Sequence, residues 1–505
     1  MKILQIGHED WSKIYHIKDD SKWYFYDPTG AGTLDVSRVD SFDVTILDAL
    51  CPLADLDALE SLIAPYTLLV NQLLQEAIDE SYQDFFQKKQ VIYEDMTDLQ
   101  GFIDSLPKKY YTKQFGQKLP IRKILFSPLH KEAVWFEGTK YLSTRVSYGD
   151  TYRQLLFWKL NILYENQYDL ELWLEYKREE GCSIQLDIQF IQDGSPDVIL
   201  LHKRYSEEEL AAPIIFSHSA SGYLVCSVFV KGTGLVQTGP IHYRHSRLGA
   251  GEFLPGGKRL VDSNRQELFY YFHPGDLKPP LNIYFSGYRP AEGFEGYYMM
   301  KGFGHPFLLI SDPRLEGGSF YVGSNELEGL LEQTIRQHIE RLGFTERDVI
   351  FSGLSMGSFG ALYYGSKFKS QAIIVGKPII DINFVAERTR LVRPYEFLTV
   401  LDMVKYWDKT DDQGNLIPLK EFNEQLEKTW SQGQGFGDTK LLLARMEDDD
   451  YDDRAYYYLL KTQSGKETTI IARGYQGRHN DQNTAIVTWF VNQYKRVIRE
   501  YIKDE

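Results

Sequence analysis

Cysteine is almost missing from this chain. The three present, Cys51, Cys182 and Cys226 among 505 residues, are odd in number and far apart. No disulfide framework is implied, and a reducing compartment is expected. Long apolar runs are missing too: nothing approaches the ~20 consecutive apolar residues of a membrane-spanning helix. Met1–Asp10 turns acidic after a short apolar run, which is not the pattern of a signal peptide. These absences point to a cytoplasmic protein without a transmembrane segment, reaching any membrane only through partners. Positive charge is scarce, with 56 Lys and Arg against 71 Asp and Glu, a net charge of -15. Nucleic-acid binding needs basic surface to displace counterions, and docking on anionic lipid needs it as well, so both classes are set aside. Cofactor signatures are equally thin. No G-x-G-x-x-G follows the first strand, and the glycine-rich Leu248–Lys258 lacks the G-K-[ST] ending of a phosphate loop, so it reads as a linker. His8 and His16 lack metal-ligand spacing, and the acidic run 447–453 has no central glycine for a calcium loop. No bound cofactor and no metal are expected.

What is present is a globular balance, 43% hydrophobic and 25% charged, over a length suited to about two to four domains. The fold class reads as α/β multidomain. Residues 1–120 alternate apolar strands (Lys2–Ile6, Phe42–Leu47, Tyr66–Val70, Gln90–Tyr93) with helical stretches, predicting a Rossmann-like α/β domain. Residues 121–255 show alternating runs, among them Asp169–Tyr176, Ser183–Phe190 and Tyr223–Val230, separated by Asp193-Gly194 and Gly232-Thr233-Gly234. That is the pattern of a β-sandwich serving carbohydrate binding or protein interaction. Its closing stretch, Ile241–Arg247, reads equally as the solvent face of a last strand or as a ligand surface. Residues 256–505 return to buried strands and helices in the order of an α/β-hydrolase, with a polar helical insertion at 381–437, ending in Gly433, Gly435 and Gly437, as a cap over the site.

The stretch that carries chemistry is Val349–Gly360. A strand runs into Gly353-Leu354-Ser355-Met356-Gly357 and then into a helix. G-x-S-x-G between strand and helix is the nucleophile elbow of α/β-hydrolases. A serine hydroxyl needs a base, and in this fold the chain order is Ser, acid, His. Of 11 histidines only His479 follows Ser355, in a loop after the last predicted strand. The acid should come from the loop Arg445–Arg454, where one Glu and five Asp stand close together. Spacing alone does not choose between Glu447, nearest the strand, and Asp449. The oxyanion donors expected are the N–H of Met356 and that of Gly287 or Tyr288, in the loop after the strand ending at Phe285. Arg289 reads as the partner of a surface acid rather than of an anionic donor.

At these residues the chain resembles the second accessory secretory protein of the streptococcal and staphylococcal accessory Sec system. The likeness rests on Gly353-Leu354-Ser355-Met356-Gly357, the lone downstream His479, the preceding Glu447-Asp448-Asp449-Asp450 loop and the three-part layout from Met1 to the carboxyl end. The resemblance implies an O-acetyltransferase acting on N-acetylglucosamine of glycosylated serine-rich repeat adhesins before export, from an acetyl donor it does not specify. It implies partners as well: sibling accessory secretory proteins, the SecA-type export motor and the adhesin itself. It further implies a Ser-Glu-His triad, which favours Ser355, Glu447 and His479.

Overall fold

The computed structural model describes residues 1–30, 39–392, 397–406, 409, 411, 417–432 and 435–504. Three sheets follow one another along the chain. The first holds β1 (Lys2–Ile6), β2 (Lys22–Tyr26), β3 (Val44–Leu47), β4 (Leu68–Asn71) and β5 (Ile92–Glu94), all parallel, in the order β2-β1-β3-β4-β5. Every residue of β3 is buried, which is why Val44, Ile46 and Leu47 do not alternate with exposed polar residues and the one polar member, Thr45, is buried as well. The strand order is the flavodoxin-type one, not that of a dinucleotide-binding domain. The strand the sequence reading missed is β2: Lys22-Trp23-Tyr24-Phe25-Tyr26 lies at the sheet edge, half-buried throughout after Lys22, so no alternation marks it.

The second sheet is dominated by β6 (Tyr141–Trp158), β7 (Leu170–Arg178), β8 (Cys182–Gln192) and β9 (Gly222–His245). The first half of β9 pairs with β8 and its second half with β7, while β6 follows it for most of its length. The register slips between Val230 and Thr233, beside Gly232, whose φ is 96°. A Cβ at Gly232 would stand 1.9 Å from the Gly181 carbonyl oxygen, so only glycine permits this close pairing. All ten strands here form one hydrogen-bonded sheet. Where a sandwich predicts two separate sheets, the strands are hydrogen-bonded into one, with one core that includes Trp158, Leu186, Phe190, Val228 and Ile241.

The third sheet has eight strands: β10 (Lys258–Val261), β11 (Glu267–His273), β12 (Leu281–Phe285), β13 (Phe307–Ser311), β14 (Val349–Leu354), β15 (Ala372–Gly376), β16 (Lys440–Met446) and β17 (Thr469–Tyr475). Their order is β10-β11-β13-β12-β14-β15-β16-β17. Only β11 runs against its neighbours. Helices α1 (Asn325–Arg341) and α2 (Met356–Gly365) pack into one apolar core, and α6 (Asn483–Asp504) belongs to another that also includes Ile374 and Leu442. Between β15 and β16 the insertion supplies α3 (Ile382–Val392), α4 (Leu398–Tyr406) and α5 (Leu419–Gln432). Gly433 of the expected glycine cluster lies outside the described residues.

The Ile241–Arg247 stretch is neither solvent face nor ligand surface. His242 is 1% exposed, with Nδ1 2.6 Å from Glu292 and Nε2 2.7 Å from Glu175. Arg244 is 2% exposed, donating through Nε to Glu292 at 2.5 Å and as a fork to Glu267 at 2.6 and 3.1 Å. The stretch is a buried ionic junction between the second and third sheets. Single buried charges would be prohibitively costly there; the interleaving of both signs makes the burial tolerable.

Candidate active site

The elbow begins where β14 meets α2. Ser355 has φ 53° and ψ -121°, a backbone conformation that L-residues avoid. The surroundings hold it there: its N–H donates to the Gly376 carbonyl at 2.9 Å, and the Ser358 hydroxyl donates to its carbonyl. The motif glycines answer to specific contacts. A Cβ at Gly353 would lie 2.2 Å from the Gly357 oxygen, and one at Gly357 2.1 Å from the Phe285 oxygen. Strand, turn, helix and the loop after β12 are therefore pressed together, which lifts the serine hydroxyl to the carboxyl edge of the sheet.

Two residues distant in sequence meet it there. Ser355 Oγ is 2.8 Å from His479 Nε2. His479 Nδ1 is 2.9 and 3.1 Å from the two oxygens of Asp449. His479 is 1% exposed and Asp449 3%. The imidazole is fixed from two further directions. Its backbone N–H donates to Asp450 at 3.0 Å, and the Tyr451 ring stacks on it at 4.3 Å, itself stacked by Phe397 at 5.2 Å. Phe397 immediately precedes α4, so the insertion does reach the site.

Glu447, favoured from the resemblance, does not occupy the orienting position; Asp449 does. The Glu447 N–H still pairs with the Tyr475 carbonyl at 2.8 Å, extending the β16 ladder. Its side chain is 38% exposed and is engaged by Gln476 and Arg445. Two residues on, the chain has turned inward. Asp449 Oδ1 also accepts the N–H groups of Tyr451 at 2.8 Å and Asp452 at 3.2 Å, an Asx-type turn that fixes the carboxylate. Asp452 makes a similar contact with the Arg454 N–H at 3.2 Å, so such a turn does not by itself mark Asp449 in the sequence. Burial would raise its pKa, but the His479 contact and these two N–H groups outweigh that and hold it below the usual value. Asp452, fully buried and facing Asp381, is pushed up to about 7, chiefly by burial.

Of the expected oxyanion donors, Met356 opens α2 and as the first helical residue has no intrahelical acceptor. Gly287 is different: its N–H donates to Glu295 Oε2 at 2.8 Å and is not available to a substrate oxygen. Arg289 is not the partner of a surface acid; it donates to the Phe294 carbonyl at 3.0 Å and ties the loop to the following segment. The hydroxyl opens into a cleft of about 600 Å³ whose walls include Tyr288, Glu295, Glu316, Lys377, Asn480 and Asn483. Lys377 is 5% exposed, its ammonium donates to the Asn483 side chain, and burial lowers its pKa against the opposing pull of Asp449 and Asp481. Lys377 and Glu295 went unnoticed in the sequence, although Lys377 directly follows a buried strand beside the elbow strand. Among the described residues no cluster of His, Cys, Asp or Glu suits a metal ion, and no helix is long and apolar enough to cross a membrane.

Comparison with known proteins fixes the lineage. The family model described as "Accessory Sec system GspB-transporter", that of the accessory secretory protein Asp-two, matches residues 1–503. The chain belongs to the Asp-two family. It is 37% identical over 505 residues to the accessory Sec system protein Asp-two of Streptococcus gordonii, covering 99% of this chain and 98% of that one. It is 36% identical over 515 residues to the Asp-two protein of Staphylococcus aureus strain NCTC 8325 / PS 47, covering 99% and 97%. Among solved structures, the Glycosylation Associate Protein (Gap123) complex from Streptococcus agalactiae contains a chain matched at a TM-score of 0.88 and 34% identity, covering 99% of this chain and 98% of that one. Membership thus extends over the whole length, through all three sheets and not the third alone.

Proposed function

We propose that this Asp-two-family protein is a serine O-acetyltransferase of the accessory Sec system, modifying N-acetylglucosamine on serine-rich repeat adhesins and taking part in their export. The observation that carries the chemistry is the hydrogen-bonded chain Ser355–His479–Asp449. Asp449 holds the tautomer with its proton on Nδ1, which leaves Nε2 free to take the serine proton. Ser355 Oγ attacks the acetyl carbonyl of an ester or thioester donor, and its proton passes through His479 to the leaving group. An acceptor hydroxyl then gives its proton to His479 and attacks the acetyl-serine; the new ester leaves and Ser355 regains its proton. Tyr288, Phe397 and Tyr451 give the cleft aromatic walls, and Glu295, Glu316, Asn480 and Asn483 provide acceptors and donors for sugar hydroxyls. The likeness to a chain of the Gap123 complex supports sibling accessory proteins as partners; the SecA-type motor and the adhesin follow from the family reading. Action on the cytoplasmic side, associated with the translocase, accords with these partners.

Mass spectrometry of adhesin glycans from cells carrying Ser355→Ala tests the reading: O-acetylation should disappear. Unchanged acetylation would end it. The family's description as a transporter of the accessory Sec system favours a second reading, in which the protein is a non-catalytic escort for the exported adhesin. Loss of acetylation with export intact in Ser355→Ala cells, and export lost when the whole chain is deleted, would separate the two roles.

A further inference from the structure

The loop after β12 must supply an amide for the oxyanion, and its own hydrogen bonds show which one. Ser286 N–H donates to the Ile310 carbonyl at 3.0 Å, continuing the sheet. Gly287 N–H donates to Glu295 Oε2 at 2.8 Å. Arg289 N–H donates to the Gly317 carbonyl at 3.1 Å, and Pro290 has none to give. Within the first turn of the loop, residues 286–290, Tyr288 alone keeps an N–H without an acceptor, and Tyr288 lines the cleft that Ser355 enters. The loop lies against the elbow: Phe285 pairs with Gly353, and a Cβ at Gly287 would be 3.4 Å from the Leu354 carbonyl oxygen.

Glu295 is itself held firmly. Its N–H reaches the Ser286 hydroxyl at 3.3 Å, and the preceding Phe294 N–H is bound by Gln114 at 2.7 Å. The buried Tyr284 phenol faces the same carboxylate; burial and that charge keep its pKa well above the usual value.

We infer that the Tyr288 N–H, with that of Met356, forms the oxyanion hole, and that Glu295 is the positioning residue that orients this donor by holding the neighbouring Gly287 amide. The inference rests on Ser355 acting as nucleophile and adds which groups receive the negative charge. What Glu295 must provide is an acceptor oxygen in a fixed place; a glutamine provides it too, an alanine does not. With the Gly287 amide released, the loop is free to turn, and Tyr288 N–H no longer meets the developing oxyanion, a contact made only in the transition state.

The test uses the full chain and a chromogenic acetate ester, with fluorophosphonate labelling of Ser355 in parallel. Glu295→Ala should lower kcat by about 10- to 100-fold with KM changed less than about threefold, the signature of an interaction lost only in the transition state. Glu295→Gln should recover kcat to within about threefold of the unaltered protein. Tyr288→Pro, which deletes the amide itself, should cost about 10²- to 10³-fold. Thermal melting identifies any variant that does not fold. The assignment is overturned if Glu295→Ala keeps full kcat, if Glu295→Gln falls as far as alanine, or if folded Tyr288→Pro stays active. If the unaltered protein neither turns over the ester nor takes the fluorophosphonate, the nucleophile reading falls first and this one with it.

Discussion

Replacing Asp449 by asparagine perturbs one proton and little else. Asp449 Oδ1 caps the Tyr451 and Asp452 N–H groups, at 2.8 and 3.2 Å, and an amide oxygen keeps both contacts. The amide nitrogen must then take the place of Oδ2, the nearer oxygen at 2.9 Å from His479 Nδ1, while Oδ1, 3.1 Å from Nδ1, is already shared between the two N–H groups. Two donors cannot face each other there, so Nδ1 loses its hydrogen and Nε2 carries it. That tautomer cannot accept the proton of Ser355. In a serine protease triad the same change costs about 10⁴-fold in kcat, or about 5.4 kcal/mol of barrier, and a loss of that order is expected here. Glu447→Gln is the internal control. Its side chain is 38% exposed and turned away from the imidazole, so its kcat should stay within about threefold, surface substitutions costing little. The assay is ester turnover plus the rate of fluorophosphonate labelling, with melting curves to show that both variants fold. An Asp449→Asn protein within tenfold of the unaltered one, or a Glu447→Gln protein as impaired as Asp449→Asn, would refute the reasoning.

Other expectations follow from the same geometry. Ser355→Gly relieves a left-handed backbone conformation and should raise unfolding stability by about 1 kcal/mol while abolishing labelling, as denaturant titration and the probe together would show. Asp452 titrates at about 7 in the fold, above its unfolded value, so its contribution to stability is complete below about pH 4 and is lost as pH rises through 7; Asp452→Asn should flatten that slope by up to about 1.4 kcal/mol per pH unit, readable in urea melts between pH 4 and 8. Arg244→Ala removes the guanidinium shared by the buried Glu267 and Glu292, leaving only Arg259 on the one and His242 on the other, and should destabilise by about 3 kcal/mol, seen as a large drop in melting temperature.

The parts of the site legible in the sequence are those dictated by backbone sterics and chain order. Gly353 and Gly357 stand where any Cβ would strike main-chain atoms, so the elbow had to be written in glycine. His479 was legible because no other histidine follows Ser355. The acid was not, since neighbouring carboxylates look alike until a turn sends one inward and leaves another on the strand edge. Gly287 was the natural choice for an oxyanion donor, being the residue with no side chain in the way. Its amide is engaged by Glu295, eight residues later, a contact with no local signature. The His242–Arg244 junction escaped for a related reason: charged residues at a strand end read as surface until a second sheet covers them. The third sheet, by contrast, announced itself through runs such as Phe307–Ile310 and Val349–Phe351, apolar because both faces are buried.

The central claim is that the Ser355 hydroxyl carries the acetyl group between donor and acceptor. Peptide mass spectrometry of the protein quenched during turnover of an acetyl ester, with acceptor sugar withheld, tests this most directly. The account predicts one acetyl group on the peptide containing Ser355, discharged when the sugar is added and never formed in His479→Ala. Sugar acetylated with Ser355 unmodified throughout, or acetyl found only on lysines, would contradict it.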